Sequence, residues 1–289
     1  MIRHLLQLIW NQRKQNAWLW AELLLVSVFL WFLVDYLYVM GRTYTAPLGF
    51  DIRHTYSIVI SSLSERSPDY IPKEKRERPD GVHLLTALDR IRTYPGVESA
   101  CLTDGGMPYY MGSRNLVWRI DTLQVPCRYA FVTPEFFDVF RIYDKDGKTA
   151  SLKRAIEDNN SIVISADVET MNPGLSLLGQ KAYRGNVTDE IEETIRGISV
   201  PIRRHEYTKA EPNVYRALRL SRMEEGYYEG MIDAVRLCVR VRPDVDNADF
   251  PARFRKDMAE QLRLGNLYLL DVQPLSYIRD GYIRSIGVE

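Results

Sequence analysis

The sequence predicts an α+β protein: an apolar helix near the amino terminus, then a two-part body. One part is a split βαβ sandwich of ferredoxin-like type, and the other is a β-rich subdomain inserted into it. Three observations carry this reading. A single apolar run, Ala17 to Met40 (AWLWAELLLVSVFLWFLVDYLYVM), has no counterpart of similar length later in the chain. Two strand–helix–strand patterns flank the remainder. The stretch between them offers short β-forming runs and few helical ones.

The apolar run defines residues 17–40 as a transmembrane helix. At about 1.5 Å of rise per residue it spans roughly 36 Å, enough for a hydrocarbon core of about 30 Å. Trp18, Trp20, Leu24, Phe29, Trp31, Leu33 and Tyr36 are its candidate anchor residues, and Trp18, Trp20, Tyr36, Tyr38 and Tyr44 sit toward its ends as an aromatic belt would. Arg3, His4, Arg13 and Lys14 precede it, whereas Arg42 is the only near cation after it, which puts the amino end in the cytoplasm. A cleaved signal peptide is the competing reading. The run is long for one, and Tyr44 stands where cleavage at Ala46 would want a small residue. Glu22 and Asp35 are expected at the interfaces rather than in an ion pathway. Over 1–16, Ile2, Leu5, Leu6 and Ile9 recur at helical spacing opposite Arg3, Gln7, Asn11 and Lys14. That pattern suits an amphipathic helix lying on the cytoplasmic interface, against membrane lipid. A plain polar-flanked extension of the anchor is the blander alternative.

The body begins with Tyr56 to Leu63, a β-forming run, followed by a charged, proline-flanked loop from Ser64 to Arg78. Asp80 is placed to cap a helix whose inner face is Leu84, Leu85, Leu88 and Ile91; Pro95-Gly96 stops it, and Val97 to Thr103 reads as a strand. The order repeats near the end. Ile232 to Arg242 alternates, with Val235, Leu237, Val239 and Val241 on one face and Arg236, Arg240 and Arg242 on the other, as a half-buried strand would. Asp246 or Asn247 then caps a helix burying Phe250, Phe254, Met258 and Leu262, and Asn266 to Val272 supplies the last strand. These units assign 50–103 and 231–289 to the ferredoxin-like subdomain, with helices over one sheet face. Residues 104–230 form the insertion. Strands are expected there at Leu116–Ile120, Val125–Val132, Ser161–Ser165, Thr194–Ile202 and Tyr215–Leu220. Short helices fit at Pro134–Phe140, capped by Thr133, and at Ala166–Met171.

Composition narrows the function. Thirty-eight basic residues balance thirty-eight acidic ones, so no global field attracts nucleic acid. Cys101, Cys127 and Cys238 are an odd, scattered set, neither a disulfide framework nor a zinc site; one bridge stays possible beside the reading as buried thiols. Asn186-Val187-Thr188 matches a glycosylation acceptor, a pattern common by chance. Gly147-Lys148-Thr149 lacks the upstream glycine of a phosphate-binding loop, Ile142 standing in its place. Gly174-Leu175-Ser176 is not a nucleophile elbow, since the next glycine, Gly179, comes one residue late. His205-Glu206 lacks the second histidine of a zincin helix, and His4, His54, His83 and His205 are scattered. No catalytic residue, cofactor site or metal site is assigned, and the chain is not expected to be an enzyme.

Four phrases carry a family resemblance: IRTYPGVESACLTDGGMPY (Ile91 to Tyr109), YAFVTPEFFDVFRI (Tyr129 to Ile142), SIVISADVETMNPGLSLLGQKA (Ser161 to Ala182) and VRLCVRVRPDVDNADFPARFRKDM (Val235 to Met258). Together with the leading amphipathic helix and anchor, they resemble the permease subunit of MacB/FtsX-type ABC transporters, over the first membrane helix and the periplasmic core domain. VTPEFFDVF and its spacing from PGV are the most specific pieces, and LLGQ at Leu177 to Gln180 resembles the family's turn before a β-rich stretch. The resemblance implies a non-ATPase subunit of the bacterial inner membrane, single-pass here, with its bulk in the periplasm. It implies a separate ABC-type ATPase as partner, a homodimer or second permease, and mechanical work on exported substrates. Two departures stand out. The family continues into three more membrane helices with an ATPase-contacting loop, whereas this sequence ends at Glu289, as a truncated, split or fragmentary permease would. The glycine-arginine turn after FFDVF is replaced by YDKDGK, Tyr143 to Lys148. Alternatives are a single-pass adaptor or sensor working without an ATPase, and a tethered hydrolase, for which Ser176 and His205 would be the residues to substitute.

Overall fold

A computed structural model of the 289-residue chain describes residues 10, 17–112, 114–185 and 190–287. The backbone separates into two units, Met1–Ala46 with Glu206–Lys209, and Pro47–His205 with Ala210–Glu289.

In the first unit, helix α1 runs Ala17–Thr45, longer at its carboxyl end than the expected 17–40. It buries no residue and is apolar on every side, so no amphipathic stripe marks one face for packing. It alone among the described residues is long and apolar enough to cross a membrane. Residues Ile2, Leu5, Leu6 and Ile9 of the expected amphipathic helix lie outside the described residues, as does the Asn186 triplet.

The second unit, the body, contains ten strands in one connected sheet. Four form an antiparallel set in the order β10-β1-β9-β2: β1 Thr55–Ser62, β2 Val97–Asp104, β9 Val235–Val241 and β10 Leu267–Pro274. Helix α2 (Asp80–Arg92) joins β1 to β2, and α7 (Phe250–Met258) joins β9 to β10. That order and connectivity are those of a split βαβ, ferredoxin-like sandwich. The helices pack one sheet face through Leu84, Leu88, Ile91, Phe250, Phe254 and Met258, all buried against Ile58, Leu237 and Val239.

The other six strands are β3 Asn115–Ile120, β4 Leu123–Val132, β5 Ser161–Ser165, β6 Lys181–Arg184, β7 Ile191–Ser199 and β8 Asn213–Ala217. They follow the order β4-β3-β6-β7-β5-β8, and β8 pairs back on β4 in parallel, from Arg128↔Asn213 to Val132↔Ala217. The ring is therefore a closed barrel without free edges. Trp118, Ile120, Ile162, Ile164, Ile195 and Val214 fill it. Since β8 occupies residues 128–132 of β4 on one edge, β3 and then β2 share the other. The link to β2 is only Thr103↔Val132 and Asp104↔Phe131.

Several expectations are corrected. The far face of the four-stranded sheet is also covered, by α3 (Phe136–Val139) and by α8 (Leu275–Ser285). Arg240 is consequently 0% exposed rather than on a solvent face, because alternation reports two faces but not what covers the second. Asp80 does not cap α2. It is the first helical residue after Pro79; its N–H donates to Glu229 Oε1 (3.0 Å), and its carboxylate accepts from Arg76 (3.1 Å). The cap of α7 is Asp249, whose N–H donates to Asn247 Oδ1 (3.2 Å), while Asp246 is engaged elsewhere. Thr133 caps nothing with its side chain; its hydroxyl accepts from the Leu102 N–H (3.1 Å) and ties α3 to β2. The expected strand Thr194–Ile202 ends at Ser199, and the strand expected from Tyr215 to Leu220 ends at Ala217. Strand β6 and helices α4 (Ala150–Ala155), α6 (Leu220–Glu224) and α8 were not anticipated. The three cysteines are buried and free, with Cys101 directly opposite Cys238 across β2 and β9.

Candidate functional site

Ten residues, 47–56, carry the chain from the body's first residue into β1, and they are fastened at almost every step. Gly49 has φ +85°, a left-handed conformation natural only to glycine, and a Cβ there would stand 2.1 Å from the Pro201 carbonyl oxygen. The neighbouring Leu48 carbonyl accepts from the Arg203 N–H at 2.9 Å. Phe50 lies edge-on to Tyr109 at 5.8 Å, and the Asp51 N–H donates to the Phe140 carbonyl at 2.8 Å.

Arg240 is the centre of this arrangement. Strand alternation turns Cys238 and Arg240 toward the face covered by α3, so the guanidinium enters protein rather than water. Its Nε donates to the Val139 carbonyl, Nη1 to the Arg53 carbonyl and Nη2 to the Asp51 carbonyl, each at 2.7 Å. A planar fork reaches the three carbonyls through three separate nitrogens, whereas an ammonium offers its three donors from one. One side chain thereby joins the entering segment, α3 and the central strand β9.

The electrostatics suit a clamp. Burial presses the Arg240 guanidinium below its ordinary range and Arg141 adds to this, while Asp51 works the other way. Burial would raise the Asp51 carboxyl, but hydrogen bonds from Arg53, then the Arg240 charge, outweigh it and hold that carboxyl below the usual range. Arg53 donates to Asp51 from its N–H at 2.8 Å and from its guanidinium at 3.0 Å. At the far end of the segment, His54 (φ 58°) places Nδ1 2.5 Å from Asp246 Oδ2, and the Tyr56 hydroxyl donates to Asp246 Oδ1. The Val241 N–H closes the segment onto the His54 carbonyl at 2.9 Å.

Chemically this is a hydrogen-bonded clamp. Among the described residues no group of three or more His, Cys, Asp or Glu could hold a metal ion. Gly147-Lys148-Thr149 forms no phosphate cradle, because the Asp144 carboxylate fills the turn by accepting from the Asp146 and Lys148 N–H groups, both at 2.9 Å. Gly179, in the LLGQ turn, has φ +84° and pairs with Ile195 at 2.8 Å, which directs the chain into β6. The anchor residues Trp18, Trp20, Leu24, Phe29, Trp31, Leu33 and Tyr36 are all exposed along α1. Sequence reasoning missed the roles of Arg240 and Asp51. The available signal was an arginine between Val239 and Val241, which the alternation disguised as a surface residue.

Comparison with solved structures places this architecture. The described chain superposes on a domain of a Porphyromonas gingivalis protein designated a permease with TM-score 0.52 and 19% identity, covering 81% of this chain and 98% of that one. The fold is shared with that domain. The periplasmic region of MacB from Actinobacillus actinomycetemcomitans aligns over 86% of this chain and 99% of that one, at TM-score 0.44 and 9% identity. The extracellular domain of the noncanonic ABC-type transporter YknZ from Gram-positive bacteria aligns over 74% of this chain and all of that one, at TM-score 0.42 and 12% identity. Only the first superposition is close enough to carry an argument, and what it carries is the fold. No protein-family model and no curated protein matches the chain by sequence.

Proposed function

We propose that the chain is a permease-type, non-ATPase component of an ABC transporter of the MacB/FtsX kind, coupling a separate cytoplasmic ATPase to its body. In this reading α1 spans the bacterial inner membrane with the amino end cytoplasmic and the body periplasmic. Residues 50–103 and 231–289 act as the porter-like subdomain and 104–230 as the inserted one. A second copy or another permease pairs with it, and the work done is mechanical. The observation that carries the proposal is the direct passage from a 29-residue apolar helix, through a short clamped segment, into a body with this fold. A flexible leash would dissipate displacement of the helix. A segment held by Gly49, Arg240 and Asp246 passes it to β1 and β9.

The test is a co-purification followed by an insertion. Membranes of the native cell, holding the chain with whatever ATP-hydrolysing subunit binds it, are solubilised, and the chain is captured. Recovery of the ATPase supports the proposal; recovery of a periplasmic partner with no nucleotide-binding subunit supports the adaptor reading. A spin label at Glu65→Cys then reports on the body, and its signal should differ between ATP- and ADP-loaded assemblies. A flexible insert of about six Gly/Ser residues after Gly49 should abolish that difference while leaving the ATPase bound. A nucleotide response that survives the insert contradicts the lever.

A further inference from the structure

A second feature of the body lies away from the clamp, where the barrel meets the chain returning to the four-stranded sheet. A cavity of about 480 Å³ opens there, within the size range of small-molecule sites. Five arginines line it: Arg114, Arg184, Arg216, Arg219 and Arg222. Asp104 neutralises Arg114 at 2.9 Å, and the buried Glu193 serves both Arg216 (2.6 Å) and Arg184 (3.3 Å). Two carboxylates against five guanidiniums leave three positive charges unmatched. Arg219 and Arg222 have no carboxylate at ion-pair distance among the described residues; Arg219 donates only a long 3.5 Å bond to the Asn159 carbonyl.

Four aromatic side chains, Tyr129, Phe131, Tyr227 and Tyr228, share the wall with smaller apolar ones. Arg216 and Arg114 lie over the Phe131 ring at 4.9 and 6.0 Å, and Arg222 over Tyr227 at 5.1 Å. Stacking fixes each guanidinium plane and leaves its edge free to donate. Burial, and after it the neighbouring Arg184 and Arg219, press the Arg216 guanidinium below its ordinary range against the opposing pull of Glu193. Like charges held together in a partly dry, ring-walled recess are relieved by an oxyanion that several forks can grip.

We propose that this cavity binds an organic phosphate, its phosphate gripped by Arg219 and Arg222 and its apolar body laid against Phe131 and Tyr227. A phosphate fits better than a lone carboxylate, because its three free oxygens and double charge answer the unmatched cations. Such a group can belong to a soluble aryl phosphate or to a lipid headgroup. The cavity's chemistry does not depend on how the chain couples across a membrane.

The test uses the full chain in phosphatidylcholine nanodiscs, with binding followed by calorimetry. The probes are phenyl phosphate, short-chain phosphatidic acid and inorganic phosphate. At least one organic phosphate should bind, and inorganic phosphate about tenfold more weakly or worse, because it forgoes the aromatic wall. The tighter of the two organic probes names the source. Arg219→Gln/Arg222→Gln should weaken that probe about tenfold or more, whereas Arg263→Gln, a surface cation paired with Asp69, should not. Arg222→Gln alone, at an exposed position, gives the same direction of change if the double variant folds poorly. Three results would overturn the proposal: no binding of either organic phosphate, an unaltered affinity in the Arg219/Arg222 variants, or an equal loss in Arg263→Gln.

Discussion

Arg240 is a full charge in a place that excludes water, and it is tolerated because three main-chain carbonyls accept from it at 2.7 Å. Removing the donor while keeping the bulk, as in Arg240→Met, strands three acceptors, the Val139 carbonyl buried and the other two partly so. The expected loss is about 3 kcal/mol or more of stability, read from thermal unfolding of the detergent-solubilised chain. Arg240→Lys keeps the charge but not the fork, so it should recover only part of that loss; full recovery would show that charge alone matters. Asp51 gives the clamp a pH dependence of definite sign. Its folded carboxyl is held below the ordinary value, so its contribution is complete above the ordinary carboxylate range and disappears as pH falls through the lowered value. Unfolding midpoints across an acid series should therefore fall more steeply for the native chain than for Asp51→Asn. Parallel curves would remove Asp51 from the explanation.

At the scale of elements, two glycines allow close backbone approach. In Gly49→Ala the new Cβ would meet the Pro201 oxygen at 2.1 Å in a left-handed backbone; in Gly81→Ala it would meet the Met223 oxygen at 2.4 Å, where α2 packs on α6. Each should cost about 2 kcal/mol or more by the same thermal assay, from overpacking in both and from left-handed strain at Gly49 in addition. An alanine at either site that melts with the native chain would contradict the close approach. The same scale shows what the sequence could and could not express. The four strands and two helices of the ferredoxin-like part were legible because Leu84, Leu88, Ile91, Phe250, Phe254 and Met258 keep helical spacing against β-branched strands. Helix α8 was not, since only Leu275 and Tyr282 are buried over its eleven residues, too sparse a stripe to register. Strand β6 was hidden by its brevity, KAYR presenting one buried residue, Ala182. Barrel closure depends on β8 returning to β4, a long-range pairing that no local pattern encodes. The clamp was illegible for the same reason: Arg240 meets carbonyls of 51–53 and of Val139, both far from it in sequence.

For the whole molecule, the strand ladder joining the barrel to the four-stranded sheet consists, among the described residues, of the two pairs at the ends of β2 and β4, while the polypeptide enters the body through 47–56. If α1 is the membrane rod, the body lies wholly on one side of the bilayer, and this can be read with a single thiol. The native cysteines supply little background. Burial, then the hydrogen bond its thiol donates to the Cys238 side chain, pushes the Cys101 thiol well up; burial pushes Cys127 up to about 12; and all three cysteines are buried. Glu65→Cys adds one exposed thiol in the loop after β1. In intact spheroplasts a membrane-impermeant maleimide should label that variant, and the labelled chain should stay with the membranes through an alkaline carbonate wash. Labelling only after the membrane is permeabilised, or recovery of the uncleaved chain in the aqueous wash, would contradict a helix lodged across the bilayer with the body outside.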